Sequence, residues 1–299
     1  MSIDINKFLR LPTLPTVAVE VIRLFDDPNT SMDQVATIVR KDPAIAAKLL
    51  KTANSAQYGA RGTVSDLKRA ITLLGRNAVT PLVLSFSLSN QSVASVEHAE
   101  YYQQFWLRSF VQATAAEIVA SLFGSPALKG ECYTTNLLAT VGKLALLRAE
   151  PDKYIEVLQR AKAEGVAVTR LEQETLGINH FKLSSVMLGQ MGLPVRCVSA
   201  ILALDPCSRP QHPDTVEDMR LICISRAANA AASLICGSTH AISMVELEEA
   251  LEELDLPGKL NSESLLSLIQ DRVDATAELF NVNTQELPPV AEILQDALE

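Results

Sequence analysis

The chain is short of glycine, of histidine and of basic charge. Twelve glycines in 299 residues are too few turn formers for a many-stranded β architecture, and the abundance of Ala and Leu favours helices. The four histidines, His98, His180, His212 and His240, stand too far apart for a local metal pair, and zinc or iron needs three or four convergent ligands. Lys and Arg number 26 against 35 Asp and Glu, a formal charge of −9. The densest basic segments, Lys48 with Lys51 and Lys68-Arg69 with Arg76, read as solvated helix faces. A duplex binder needs a concentrated basic face to release phosphate counterions, so nucleic acid is not an expected partner.

Other absences narrow the chemistry further. The five cysteines form no Cys-x-x-Cys pair, their odd count leaves one unpaired, and Cys223 in Leu-Ile-Cys-Ile reads as a small core residue. There is no Gly-x-Gly-x-x-Gly or Walker loop for a nucleotide and no Gly-x-Ser-x-Gly elbow for a serine nucleophile. Met1 to Phe8 is polar, and no apolar run reads as long enough to span a bilayer. The expectation is a cytoplasmic protein without a membrane partner.

What is present reads as helix almost throughout. A chain of this length buries roughly 75% of its unfolded surface, enough for an apolar core without disulfide or metal; 48% hydrophobic and 20% charged residues fit that. Val17, Val21, Leu24 and Phe25 share one helix face. Ser31 with Gln34 makes a capping box, Asp42-Pro43 starts a third helix, and Ser65 caps a fourth that ends at Gly75. A fifth runs from about Val79 to Ser89. Beyond the polar stretch Asn90 to Glu97, helices follow over Tyr101–Phe123, Cys132–Arg148 and Tyr154–Glu164. Asn179 then caps a helix ending near Gly192, and Val195–Leu204 and Met219–Cys236 continue the series. Two amphipathic helices close the chain near Val245–Leu254 and Ser262–Phe280. The expected fold class is all-α, as two packed helical lobes over 1–96 and 97–240 with a C-terminal extension, 241–299, on the second.

Several separated motifs carry a family resemblance. Leu11-Pro12-x-Leu14-Pro15 opens the chain, Asp42 to Leu50 leads into Ala53-Asn54-Ser55-Ala56-Gln57-Tyr58-Gly59, and Ala70-Ile71-x-Leu73-Leu74-Gly75 follows. Phe105-Trp106, Leu137 to Leu144, Gly177-x-x-His180 and Gly192-Leu193-Pro194 come in the same order. Over about residues 11–206 the chain resembles the HDOD family, the output domain of bacterial signalling proteins related to metal-dependent hydrolases. The resemblance implies an all-helical, HD-domain-like second lobe and positions where a hydrolase would hold its cations. At those positions stand Arg108 for the first histidine, Ala139-Thr140 for the His-Asp pair, Leu204-Asp205 for a later pair and Asn229 for the last aspartate. A guanidinium repels a cation, and a methyl group cannot ligate one. His180 falls where the family often keeps a histidine.

The expectation is therefore a regulator or adaptor that binds rather than catalyses, with no metal and no cofactor. Its implied partners are signalling proteins such as a histidine kinase or a cyclic-dinucleotide enzyme, and the acidic C-terminal helices offer a homodimer face. A second reading is a sensor whose vacated pocket takes a nucleotide or other phosphate compound on Arg108, Lys143 and His180. The third and weakest is a remaining phosphohydrolase activity. For each residue a structural role competes. His180 either meets an anion at a helix N-terminus or hydrogen-bonds a neighbouring loop. Lys143 either contacts a ligand or snorkels from a buried helix. Asn54 and Tyr58 either touch a partner or belong to a helix stop relieved by Gly59.

Overall fold

In the computed structural model the described residues are 29–41, 43–54, 64–75, 99–190, 193–206, 215–237, 240–254, 260–280, 283–285 and 287–298, with a few isolated positions besides. Every element among them is a helix, as an all-α chain requires. Chain contacts divide the protein into a smaller unit, Pro12–Val93 with Thr276–Val282, and a larger one made of Met1–Leu11, Ala94–Ala275 and Asn283–Glu299.

The smaller unit contains α1 (Met32–Val39), α2 (Pro43–Ala53) and α3 (Leu67–Leu74). Ser31 and Gln34 form the expected capping box, each satisfying a backbone N–H of the other. Asp66, not Ser65, caps α3: its carboxylate accepts from the Arg69 N–H at 2.8 Å. The carboxylate also suits the positive end of the helix dipole. The three helices bury Val35, Val39, Ile45, Leu49, Ile71 and Leu74, and Lys68 reaches Asp33 across α3 and α1 at 2.6 Å. Tyr58, Asp42 and most of the expected helices over Val17–Phe25 and Val79–Ser89 lie outside the described residues.

Asn54 has a structural task here. Its side-chain amide donates to the Leu50 and Val64 carbonyls, both at 2.8 Å, and its Oδ1 accepts from the Val64 N–H at 2.7 Å. The side chain thereby ties the two ends of the 55–63 segment together. All three of its polar contacts are made within the unit.

The larger unit comprises α4 (Ala99–Ser121), α5 (Pro126–Leu138), α6 (Val141–Ala149), α7 (Pro151–Glu164), α8 (Val168–Leu176), α9 (His180–Gln190), α10 (Val195–Leu202), α11 (Val216–Cys236), α12 (His240–Glu253), α13 (Ser262–Phe280) and α14 (Val290–Asp296). α11 is the axis, packed against α4, α5, α10, α12 and α14. Its run of small residues, Ala227, Ala228, Ala230, Ala231 and Ala232, is buried and lets backbones approach closely. By length and composition α11 could cross a bilayer, which corrects the expectation that no stretch reaches that threshold; most of it is buried, as a core helix is. Arg272 of α13 reaches Glu117 of α4 at 3.7 Å.

Further sequence expectations are corrected. The single helix expected over Cys132–Arg148 is two, broken at Ala139-Thr140. Neither residue is a helix breaker, so the break answers to packing. The periodicity reading also omitted α8 and α14, which are nine and seven residues long.

Replacing Asn54 with Ala should orphan the Val64 N–H and destabilise the smaller unit by about 1–3 kcal/mol. Hydrogen exchange should show the loss as weaker protection of 64–75, with 99–190 unchanged.

Candidate functional site

The site is built from helix ends. Gly177, at φ 74°, ends α8 in the left-handed conformation that glycine adopts without strain. The chain then turns at once into α9, where Asn179 caps as expected, its Oδ1 accepting from the Lys182 N–H at 3.0 Å. This tight turn folds the start of α9 back on α8. His180, 3% exposed, meets Glu172 there: one carboxylate oxygen accepts from the His180 backbone N–H at 2.9 Å and lies 2.7 Å from Nδ1. The other oxygen accepts from the Tyr154 hydroxyl of α7 at 2.6 Å. His180 therefore bonds a neighbouring helix, not a loop.

Charge in this triad is settled by burial. Desolvation presses the His180 ring down to about 4, against the pull of Glu172, and Lys143 and Arg108 depress it further. Burial alone would raise Glu172, but His180, Lys143 and Tyr154 outweigh it and hold its pKa below the usual value. The consistent state at neutral pH is a carboxylate receiving three hydrogen bonds, one of them from the Nδ1–H of a neutral imidazole. Tyr154 is held well above its ordinary pKa by burial and the adjacent carboxylate, so it stays a donor.

The α6 N-terminus docks on this turn. A Cβ on Gly142 would lie 2.2 Å from the His180 carbonyl oxygen, so glycine is required by close approach. The Gly142 N–H donates to Ser184 Oγ at 2.8 Å, and that hydroxyl donates to the His180 carbonyl at 2.8 Å. The break at Ala139-Thr140 aims α6 at α9 in this way. On the other side the Thr140 hydroxyl is 3.2 Å from Ser109 of α4, and both residues are buried.

Arg108, next to Ser109, donates through Nη2 to Asn229 Oδ1 at 2.9 Å and to Ser233 Oγ at 3.1 Å. One turn along each helix, Gln112 donates to Asn136 at 3.2 Å, and Asn136 donates to Ser225 at 3.0 Å. The pairs Arg108/Gln112, Asn136/Thr140 and Ser225/Asn229 are each four apart, so they line one face of α4, of the α5–α6 junction and of α11. A polar belt thus crosses the core between these helices.

The structure brings Arg108, Thr140, Asn229, Lys143 and His180 into one neighbourhood, with Ala139 buried at its break. Arg108 and Lys143 each bear on His180, and Arg108 on Lys143. Leu204 and Asp205 are buried just beyond α10, and Asp205 is not among the charges that shift these three groups. Asn54 belongs to the smaller unit and is occupied by the backbone of Leu50 and Val64. Glu172 and Tyr154 were missed from sequence. The available signal was an acid on the apolar side of α8, eight residues before His180.

These residues do not fit a divalent cation. A guanidinium fills the first position, Thr140 is engaged with Ser109, and the Asn229 oxygen is taken by Arg108. Among the described residues no group of three or more His, Cys, Asp or Glu could hold a metal.

A family model for the HDOD domain matches residues 11–205, and the chain belongs to the HDOD family. An HDOD domain protein of unknown function from Geobacter sulfurreducens shares the fold at a TM-score of 0.65 and 19% identity, over 91% of each chain. A candidate signal transduction protein of Marinobacter aquaeolei VT8 does so at 0.66 and 24%, over 91% of this chain and 60% of that one. A candidate phosphohydrolase of Shewanella amazonensis SB2B matches at 0.64 and 18%, over 98% and 97%. An uncharacterized protein of Treponema pallidum (strain Nichols) is 20% identical over 191 residues, 64% of this chain. The chain spans 37% of the length of that curated relative.

Stability should fall as pH drops from about 6.5 toward 4, because the unfolded chain then protonates His180 while the fold resists it. Below about 4.5 the lowered Glu172 adds a loss of the same sign. His180→Asn, whose amide can still donate to Glu172, should flatten the upper part of this acid limb in denaturation measured across pH. Gly142→Ala should cost at least about 1–3 kcal/mol, read as a lowered melting temperature.

Proposed function

We propose that the protein is a signal-transduction regulator that acts by binding other proteins, without catalysis and without a metal. The observation that carries this reading is the Arg108–Asn229 bond at 2.9 Å. The family resemblance sets the first histidine and the last aspartate of a hydrolase at these positions, and here the two side chains satisfy each other. A hydrolytic metal centre works by leaving coordination positions open for water and a phosphoryl oxygen. This arrangement instead uses its polar groups to hold α4, α6 and α11 together, which suits a rigid scaffold that presents a surface. The partners in this reading are signalling proteins such as a histidine kinase or a cyclic-dinucleotide enzyme, met in the cytoplasm.

An exposed apolar pair marks where such a surface can be tested. Val195 is 81% and Val216 76% exposed. They open α10 and α11, which Arg196 joins through Glu217 at 3.8 Å and Asp218 at 3.5 Å. Val195→Glu with Val216→Glu should weaken capture of a partner kinase or cyclic-dinucleotide enzyme by tenfold or more, with no change in melting temperature. The purified protein should also carry less than stoichiometric divalent metal and leave phosphomonoesters and cyclic dinucleotides intact. A stoichiometric metal accompanied by turnover would refute the non-catalytic reading.

A further inference from the structure

We propose that the exposed side of α12 docks a basic amphipathic helix of a partner protein. This rests on the protein-binding reading and adds to it a second surface and the charge of the segment that it meets. α12 packs against α11 and α14 and buries Ser243, Leu247 and Ala250. At about 100° per residue these three share one side of the helix. Ile242, Val245, Glu248, Glu249 and Glu252 fall on the other, and all five are exposed. Ile242 is 64% and Val245 55% exposed. Three residues apart on a helix, the two aliphatic side chains are neighbours and stand together in water.

The second support is charge. α12 carries no Lys or Arg in its 14 residues, and four of its five glutamates crowd the last two turns. That is the negative end of the helix dipole, where carboxylates are disfavoured. Glu248 and Glu252, four apart, also repel each other. Arg226 of α11 meets Glu253 at 2.6 Å. Glu248, Glu249 and Glu252 make no ion pair or hydrogen bond among the described residues. The surfaces of α7 and α8 are built otherwise: Arg160 meets Glu164 at 3.2 Å and Arg170 meets Glu174 at 2.9 Å, each within its own helix. On α12 the balancing cations have to come from outside the helix.

These two features fix the occupant. An apolar pair followed along one face by carboxylates matches a helix with two apolar residues one turn apart and Lys or Arg over the adjoining two turns. Ile242 to Glu252 spans about 15 Å of helix axis, some three turns of such a partner. A second copy of this chain does not supply that pattern. In a two-fold contact across this face its glutamates would meet either the apolar turn or one another, and α12 has no cation to offer in return.

The test is fluorescence anisotropy on the full chain at about 0.15 M salt. The probe is a synthetic helical peptide with two leucines three apart and three lysines over the adjoining two turns, made in both chain orders. A matched peptide has glutamate at each lysine. The expected result is saturable binding of the lysine peptide in at least one order, and none of the glutamate peptide. Ile242→Ser with Val245→Ser should weaken that binding tenfold or more, and so should Glu248→Gln with Glu249→Gln and Glu252→Gln. Neither set should lower the melting temperature, because all five side chains are exposed and the second set relieves a repulsion. The proposal is overturned if no lysine peptide binds, if the glutamate peptide binds equally, or if either set of variants binds as the parent does. It is overturned in favour of a second copy if the free chain sediments as a dimer that Ile242→Ser with Val245→Ser disperses. Partner capture through Val195 and Val216 is a separate measurement, so the two readings fail separately.

Discussion

The larger unit depends on one buried negative charge. A carboxylate withdrawn from water is tolerated only when its lone pairs are met by donors and a cation stands near. Glu172 meets that condition through the Tyr154 hydroxyl, the His180 backbone N–H and the His180 ring, with Lys143 in the neighbourhood. These donors come from α7 and α9, so one side chain on α8 fixes three helices. The tight turn at Gly177, the cap at Asn179 and the docking of Gly142 all follow from placing His180 where it can reach that oxygen.

The polar belt on α4, α5 and α11 solves a related problem differently. Uncharged groups fill most of it, and Arg108 contributes the single cation. Partners four residues apart keep the belt to one face of each helix, so apolar packing continues on the others. A metal ion would cross-link such helices through its coordination sphere; here direct side-chain hydrogen bonds link α4 to α11. Most polar atoms of the belt are committed in this way, and Gln112 Oε1 is buried without a hydrogen-bond partner among the described residues. Lys143 makes no hydrogen bond among the described residues and stands as the cation near Glu172.

Much of the fold is legible in the residue pattern because the forces involved are local. The Ser31–Gln34 box, the Asn179 cap and the stop at Gly75 concern residues within a turn of one another. The chemistry of Ala139, Thr140 and Asn229, which the family resemblance sets at a hydrolase's ligand positions, is likewise visible, since a side chain's chemistry is known before its surroundings are. Asn54 shows the limit: an amide in a Gly-flanked segment suggests contact with a partner, and only the fold reveals Val64, ten residues on, as what it bonds.

Legible in the linear chain are its all-helical character and its place among HDOD proteins, and the family resemblance sets Ala139, Thr140 and Asn229 where a hydrolase would hold its metal. Periodicity, caps and side-chain chemistry are properties of short stretches, and they survive in a linear reading. Tertiary structure alone decided that the helix breaks at Ala139-Thr140, that Glu172 and not a loop receives His180, and that Arg108 meets Asn229 across 121 residues of chain. Those outcomes rest on burial and close approach between distant segments, where the cost of an unpaired charge or an extra methyl group exists only once the helices are packed.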